Sequence, residues 1–177
     1  MSIKSSVTIR DAREEDQEPF VQLLVEAYGQ YADVLPDDRW EPYKEALQGS
    51  FTDGTPIARI VAVRDDVIVG SVQLFASSEE AYGRPEPFIP NPVIRYLAVS
   101  PQARGEGIAT LLIQESIRRA RALGANRLNL HTSDMMSAAV RLYEHLGFER
   151  AYETDLYNGE TLVKGFRIEL DKAALRI

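Results

Sequence analysis

Gly105 and Gly107 close a segment that starts as an apolar β-like run, Val93-Ile94-Arg95-Tyr96-Leu97-Ala98-Val99, and passes through Ser100 and Pro101 into Gln102-Ala103-Arg104-Gly105-Glu106-Gly107. A helical pattern follows at once. Where a strand turns into a helix, residues without side chains let several backbone N–H groups converge on one anion at the positive end of the helix dipole. Such a loop can cradle a phosphate. A Walker loop needs G-x-x-x-x-G-K-[ST], but position 102 is Gln and Ile108 stands where Lys should follow Gly107. A dinucleotide fingerprint would need Gly or Ala where Thr110 stands, and an acidic residue about 20 positions on, where the chain offers Arg127.

The spacing that fits is Gln102-x-x-Gly105-x-Gly107, followed by Ile108-Ala109 and entered from Leu97-Ala98-Val99. It resembles the pyrophosphate motif of the GNAT superfamily of acyl-CoA-dependent N-acetyltransferases. A second motif, Ala139-Val140-Arg141-Leu142-Tyr143-Glu144-His145-Leu146-Gly147-Phe148, is similar to the superfamily's A-x-x-L-Y-x-x-x-G-F signature, and Ile9-Arg10-Asp11-Ala12 to its opening strand. The motifs stand in the family's order and span most of the chain.

The resemblance implies direct attack of a primary amine on the thioester of acetyl-CoA, without a covalent enzyme intermediate. Such attack needs a neutral amine, a polarised carbonyl and a proton for the departing thiolate. Carried onto this sequence, the family pattern gives the pantetheine arm the backbone of Leu97, Ala98 and Val99. The pyrophosphate falls to Gln102, Arg104, Gly105, Glu106, Gly107, Ile108, Ala109 and Thr110, chiefly through their peptide groups. Tyr143 becomes the general acid toward sulfur; as a lone tyrosine it would read equally as a core aromatic beside Leu142.

The chain departs from the family pattern twice. Arg95 stands where many members carry a glutamate base, which leaves deprotonation to water held by Tyr96, to a backbone carbonyl, or to Glu26, Glu79 or Glu80. Met136 stands where many carry an Asn against the cofactor arm, a contact that Ser133 or Thr132 could replace. These departures keep a second reading open, a CoA-binding sensor or degenerate acyltransferase. His131, ending the β-like Leu128-Asn129-Leu130-His131, is open to a role as base or as a satisfied, partly buried ring; His145 falls on a polar helix face.

Composition bounds the rest. The chain has 177 residues, 45% of them hydrophobic and 27% charged, which suits one soluble domain over residues 1–177. Its lack of cysteine excludes disulfides, thiolate metal sites and a cysteine nucleophile, and with only two histidines it argues against a metal site. A net charge of -7 argues against sequence-independent nucleic-acid binding and suits a cationic amine. No apolar run approaches the about 20 residues of a membrane span and no signal-peptide core is visible, so the expected location is the cytoplasm. Small-molecule or peptide amines are the expected acceptors, and the resemblance allows a homodimer.

The elements that must position these residues follow from periodicity. Val7–Arg10 alternates as a strand, and Asp16 stands as N-cap before a helix carrying Phe20, Leu23, Leu24, Ala27 and Tyr28. A shorter helix follows Asp37-Asp38 and ends near Leu47. Arg59–Arg64 and Val67–Leu74 read as a hairpin about Asp65-Asp66, with Gly70 as a kink or bulge. Four prolines and Gly83 make Ser77–Pro92 an extended loop. Together with Tyr28–Phe51 it could wall an amine pocket through Tyr31, Trp40, Tyr43, Tyr82 and Phe88, with Glu79, Glu80 and Glu86 to attract a cation. A central helix from Glu106 to Leu123 ends at Gly124, a strand covers Arg127–Thr132, Asp134 caps a helix whose apolar face holds Met135, Ala139, Leu142 and Leu146, and strands follow Phe148. The resulting fold class is α/β (α+β), GNAT-like, with a mixed, mostly antiparallel sheet of about six to seven strands and about four helices.

Overall fold

The computed structural model describes residues 6–29, 37–84, 88–132, 137–158 and 161–170. Among them the chain forms β1 (Thr8–Asp11), α1 (Gln17–Tyr28), α2 (Asp37–Gly49), β2 (Ala58–Arg64), β3 (Val67–Phe75), α3 (Ser78–Tyr82), β4 (Val93–Val99), α4 (Ile108–Ala122), β5 (Arg127–Thr132), α5 (Ser137–Leu146), β6 (Glu149–Arg150), β7 (Leu156–Asn158) and β8 (Thr161–Glu169).

These residues fall into two compact units, and β3, β4 and α4 run through both. The first comprises the described parts of Met1–Gly54, Ala58–Gln73 and Tyr96–Ile113. Its strand order is β1-β2-β3-β4, with β1 antiparallel to β2 in the register Ile9↔Ala62. Asp65 and Asp66 turn β2 into β3 at φ 52° and 64°, the paired left-handed geometry that a two-residue hairpin requires. Phe20, Leu24 and Ala27 of α1 pack with Leu47, Val61 and Ala98 into one buried cluster. Their helical spacing sets one face of α1 against the sheet.

The second unit comprises Thr55–Ile57 and the described parts of Leu74–Arg95 and Gln114–Ile177. Here β4 pairs in parallel with β5 at Val93↔Asn129, β5 lies antiparallel to β8 through Leu130↔Phe166 and His131↔Gly165, and β6 and β7 each pair with β8. Helix α4 ends in a left-handed Gly124 at φ 82°, and the Ala125 N–H reaches the Ala120 carbonyl at 3.1 Å, the bond that closes a Schellman turn.

Three expectations are corrected. Ser77–Pro92 is not wholly extended, because α3 occupies its start. The Ser77 hydroxyl accepts from the Glu80 N–H at 3.4 Å, and Gly83 closes the helix at φ 69°, so a cap and a stop fit in before the first proline. Asp16 stands at the N-cap of α1, but its carboxylate makes no cap bond. It accepts from Arg10 at 2.7 and 3.2 Å and from the Arg13 N–H at 2.7 Å, because Asp16 also closes the 3-10 turn Glu14–Asp16 and its carboxylate reaches back to the start of that turn. Gly70 lies inside β3 without a left-handed φ; a Cβ there would meet Ile108 Cγ2 at 2.8 Å and Leu112 Cδ1 at 3.0 Å. Its missing side chain admits α4. The Asp134 cap and Met135 lie outside the described residues.

Candidate active site

Strand β4 loses its alternation at Tyr96, which takes φ 59°. A left-handed non-glycine residue interrupts a strand ladder and re-aims the peptides after it. Immediately beyond, the Leu97 carbonyl accepts from the Tyr28 hydroxyl at 2.7 Å. Ala98 is buried in the α1 cluster, and Leu97 and Val99 are half-buried.

The loop after β4 is pinned at both ends. The Ser100 N–H reaches the Val69 carbonyl at 2.8 Å, Pro101–Ala103 form a 3-10 turn, and Ala103 is buried. Ile108 is buried at the start of α4, leaving Arg104, Gly105 and Gly107 exposed between the anchors. Gly105 and Gly107 take φ 79° and 81°, and a Cβ on either would meet nothing within 4 Å. Backbone conformation therefore calls for glycine here, and packing does not. The Leu111 N–H bonds the Gly107 carbonyl at 3.1 Å, so the N–H groups of Ile108, Ala109 and Thr110 precede the first helical bond of α4. The first turn carries no acidic residue, which suits an anion at the positive end of the dipole.

One carboxylate does lie inside the loop. Glu106 is ion-paired with Arg64 of β2 at 3.0 Å, both half-buried, which cancels a charge that would repel phosphate. Gln102 donates to Glu26 of α1 at 3.2 Å and accepts from the Ser100 hydroxyl at 2.6 Å. Arg104 reaches the Ala27 carbonyl at 3.4 Å. All of these contacts lie within the first unit.

Tyr143 lies in the second unit. It is 6% exposed on α5, with its ring 5.8 Å from that of Phe148. On that helix Leu146 is also buried, whereas Ala139 and Leu142 are half-buried and His145 is exposed. Thr132 at the end of β5 is 3% exposed, and its hydroxyl has no partner among the described residues.

The aromatic residues suggested for an acceptor pocket separate. Trp40 and Tyr43 pack against the Phe20 cluster, whereas Phe88 is 76% exposed; Tyr31, Glu86, Ser133 and Met136 lie outside the described residues. Of the carboxylates considered as base, Glu26 bonds Gln102, Glu80 accepts from Thr55, and Glu79 is exposed. Arg95 donates to the Ala81 carbonyl at 2.7 Å and lies over the Tyr82 ring at 5.1 Å. The Tyr82 hydroxyl in turn meets His131 Nδ1 at 2.8 Å. Sequence spacing could not reveal Tyr28–Leu97 or Tyr82–His131, because 69 and 49 residues separate the partners.

The Acetyltransferase (GNAT) family profile matches residues 12–148. The chain belongs to this family. It is similar to N-alpha-acetyltransferase 30 of Schizosaccharomyces pombe, at 31% identity over 117 residues, 66% of this chain and 74% of that one. It is also similar to N-acetyltransferase 8B of Rattus norvegicus, at 36% identity over 90 residues. Against that protein and two other relatives, a mouse family 8 member and a mycothiol acetyltransferase of Thermobispora bispora, the match spans only 38–43% of the relative's length. Among solved structures, the PaiA N-acetyltransferase of Thermoplasma acidophilum, in complex with coenzyme A, superposes with a TM-score of 0.67 over 90% of this chain and 98% of that one, at 16% identity. That likeness shows the GNAT fold, a mixed sheet flanked by helices. No helix among the described residues is long and apolar enough to cross a membrane.

Proposed function

We propose that this chain, read as one N-acetyltransferase domain over residues 1–177, moves the acetyl group of acetyl-CoA to a primary amine by direct attack. The observation that carries the reading is the pair of left-handed, exposed glycines before α4, Gly105 at φ 79° and Gly107 at φ 81°. They fit a diphosphate because left-handed residues at a strand-to-helix turn can present backbone N–H groups to an anion, and no Cβ narrows the approach.

Bound acetyl-CoA supplies the activated thioester. The N–H groups from Arg104 through Thr110, with Gln102 beside them, hold its diphosphate, and the peptide groups of Leu97, Ala98 and Val99 hold its arm as an added strand. Tyr28 supports this edge by fixing the Leu97 carbonyl. Tyr143 gives its phenolic proton to the CoA sulfur, a role suited to a phenol with a reference pKa of about 10 beside a forming thiolate. The buried Thr132 hydroxyl lacks a partner among the described residues, which supports it as the polar contact that replaces the family's usual Asn.

Calorimetry with CoA, paired with release of free CoA thiol over a panel of polyamines, aminoglycosides, amino acids and peptides, tests this reading. The expected result is binding together with turnover of at least one amine. Binding without turnover would favour the CoA sensor, and the absence of binding would overturn the reading.

A further inference from the structure

Three residues of the second unit form a chain of contacts that the acid role of Tyr143 leaves unused. His131 Nε2 lies 2.6 Å from the Thr154 carbonyl, and His131 Nδ1 lies 2.8 Å from the Tyr82 hydroxyl. A carbonyl can only accept. Nε2 therefore carries the imidazole proton, and Nδ1 is left to accept from the phenol. The order of donation is fixed, Tyr82 O–H to Nδ1 and Nε2–H to the Thr154 carbonyl.

The imidazole is held from below. Thr154 is buried and donates its own hydroxyl to the Ala151 carbonyl at 2.7 Å. Gly165, the β8 partner of His131, leaves it room, since a Cβ there would fall 1.8 Å from Thr154 Oγ1. The Arg95 guanidinium lies over the Tyr82 ring, 5.1 Å from its centroid, a cation–π contact that helps to hold the ring in place. Tyr82 and His131 are both half-buried, neither sealed nor fully in water.

We propose that Tyr82 and His131 form the proton relay that deprotonates the acceptor amine, with Tyr82 Oη as the catalytic base and His131 as the residue that positions it and takes its proton. The inference rests on the acetyl-transfer reading above. As the acceptor ammonium gives a proton to Tyr82 Oη, the phenol's own proton passes to Nδ1, and the resulting imidazolium keeps its Nε2–H on Thr154. The neutral amine attacks the thioester carbon, the C–N bond forms and the C–S bond breaks. The extra proton on the acylated nitrogen replaces the one that Tyr143 gives to sulfur. His131 then releases its proton to water, so one proton is lost per turnover.

Charge around the ring agrees with a neutral resting state. Burial holds His131 below its ordinary value of 6.5, with Arg84 and Arg95 acting in the same direction, while the Thr154 carbonyl and Asp155 act against it. The Nδ1 lone pair is thus available at neutral pH.

The test uses Tyr82→Phe and His131→Gln, with acetyl-CoA and the same amine panel. Each is expected to lower kcat/KM about 100-fold, the scale of a lost general base, with acetyl-CoA affinity unchanged. The acid limb of the wild-type pH profile should disappear in His131→Gln, whereas a purely structural loss would lower the rate and leave that limb in place. Nitrogen-15 NMR of the wild-type protein without substrate should find His131 protonated at Nε2 and bare at Nδ1, and its titration should move upward in Tyr82→Phe. A proton on Nδ1 overturns the relay whether or not the variants fold. Active wild type with both variants at full rate overturns the base role alone, whereas wild type that binds acetyl-CoA and acetylates no amine overturns the transfer reading together with it.

Discussion

The Tyr28 hydroxyl, on the last residue of α1, donates to the carbonyl of Leu97 across 2.7 Å, one residue beyond the left-handed Tyr96 of β4. This bond ties the first helix to the strand edge proposed to hold the CoA arm. A neutral hydrogen bond contributes about 1 kcal/mol net. Tyr28→Phe is therefore expected to lower stability by about that amount in urea unfolding, and also to raise KM for acetyl-CoA. A normal KM would separate the bond from cofactor binding.

Gly107→Val should act on affinity more than on folding. A branched residue at φ 81° is strained by about 1–2 kcal/mol, and the exposed loop can relieve that strain by rotating away from its left-handed turn. The expected result is CoA binding weakened about tenfold or more by calorimetry, with a melting temperature close to wild type. Unchanged affinity would place the diphosphate elsewhere.

Tyr143→Phe keeps the buried ring against Phe148 and removes only the hydroxyl. If that hydroxyl protonates the thiolate, kcat should fall about 100-fold while acetyl-CoA affinity changes little, because the sulfur carries charge only late in the reaction. Steady-state kinetics beside direct binding measurements decide this. Equal losses in both would make Tyr143 a packing residue.

Gly165→Ala should destabilise by about 3 kcal/mol. Its Cβ would meet Thr154 Oγ1 at 1.8 Å and the Ala151 carbonyl at 3.0 Å, and backbone cannot swing aside as a side-chain tip can. Chemical denaturation measures the loss. A change under 1 kcal/mol would mean that the turn below His131 yields easily.

Asp155 links this region to pH. Its carboxylate accepts from Arg150 at 2.7 and 2.8 Å and from the Gly165 N–H at 2.8 Å, and the Arg150 bonds hold it below its ordinary value of 3.8. The stability it contributes is present above that value and is lost as pH falls through the lower folded one. Asp155→Asn should therefore lower the melting temperature at pH 7 and flatten its decline below about pH 4. An unchanged acid slope would assign that decline to other carboxylates, such as Asp16, which is held low by Arg10.

Local chemistry made much of the fold and the loop readable from the residues alone. Paired glycines between an apolar strand and a helix, apolar stripes at helical spacing on α1 and α4, and Asp65-Asp66 between two β-rich runs each express a backbone preference that acts over a few residues. For that reason the strand Arg127–Thr132, the hairpin, the helix ending at Gly124 and the Gly105–Gly107 turn are all legible in the sequence. What only the tertiary structure decided depends on residues far apart in the chain. Gly70 yields to Ile108 and Leu112, Arg64 neutralises Glu106, Trp40 and Tyr43 join the core, and Tyr82 meets His131. Those pairings arise when elements pack, and no short-range propensity encodes which distant side chain will stand opposite.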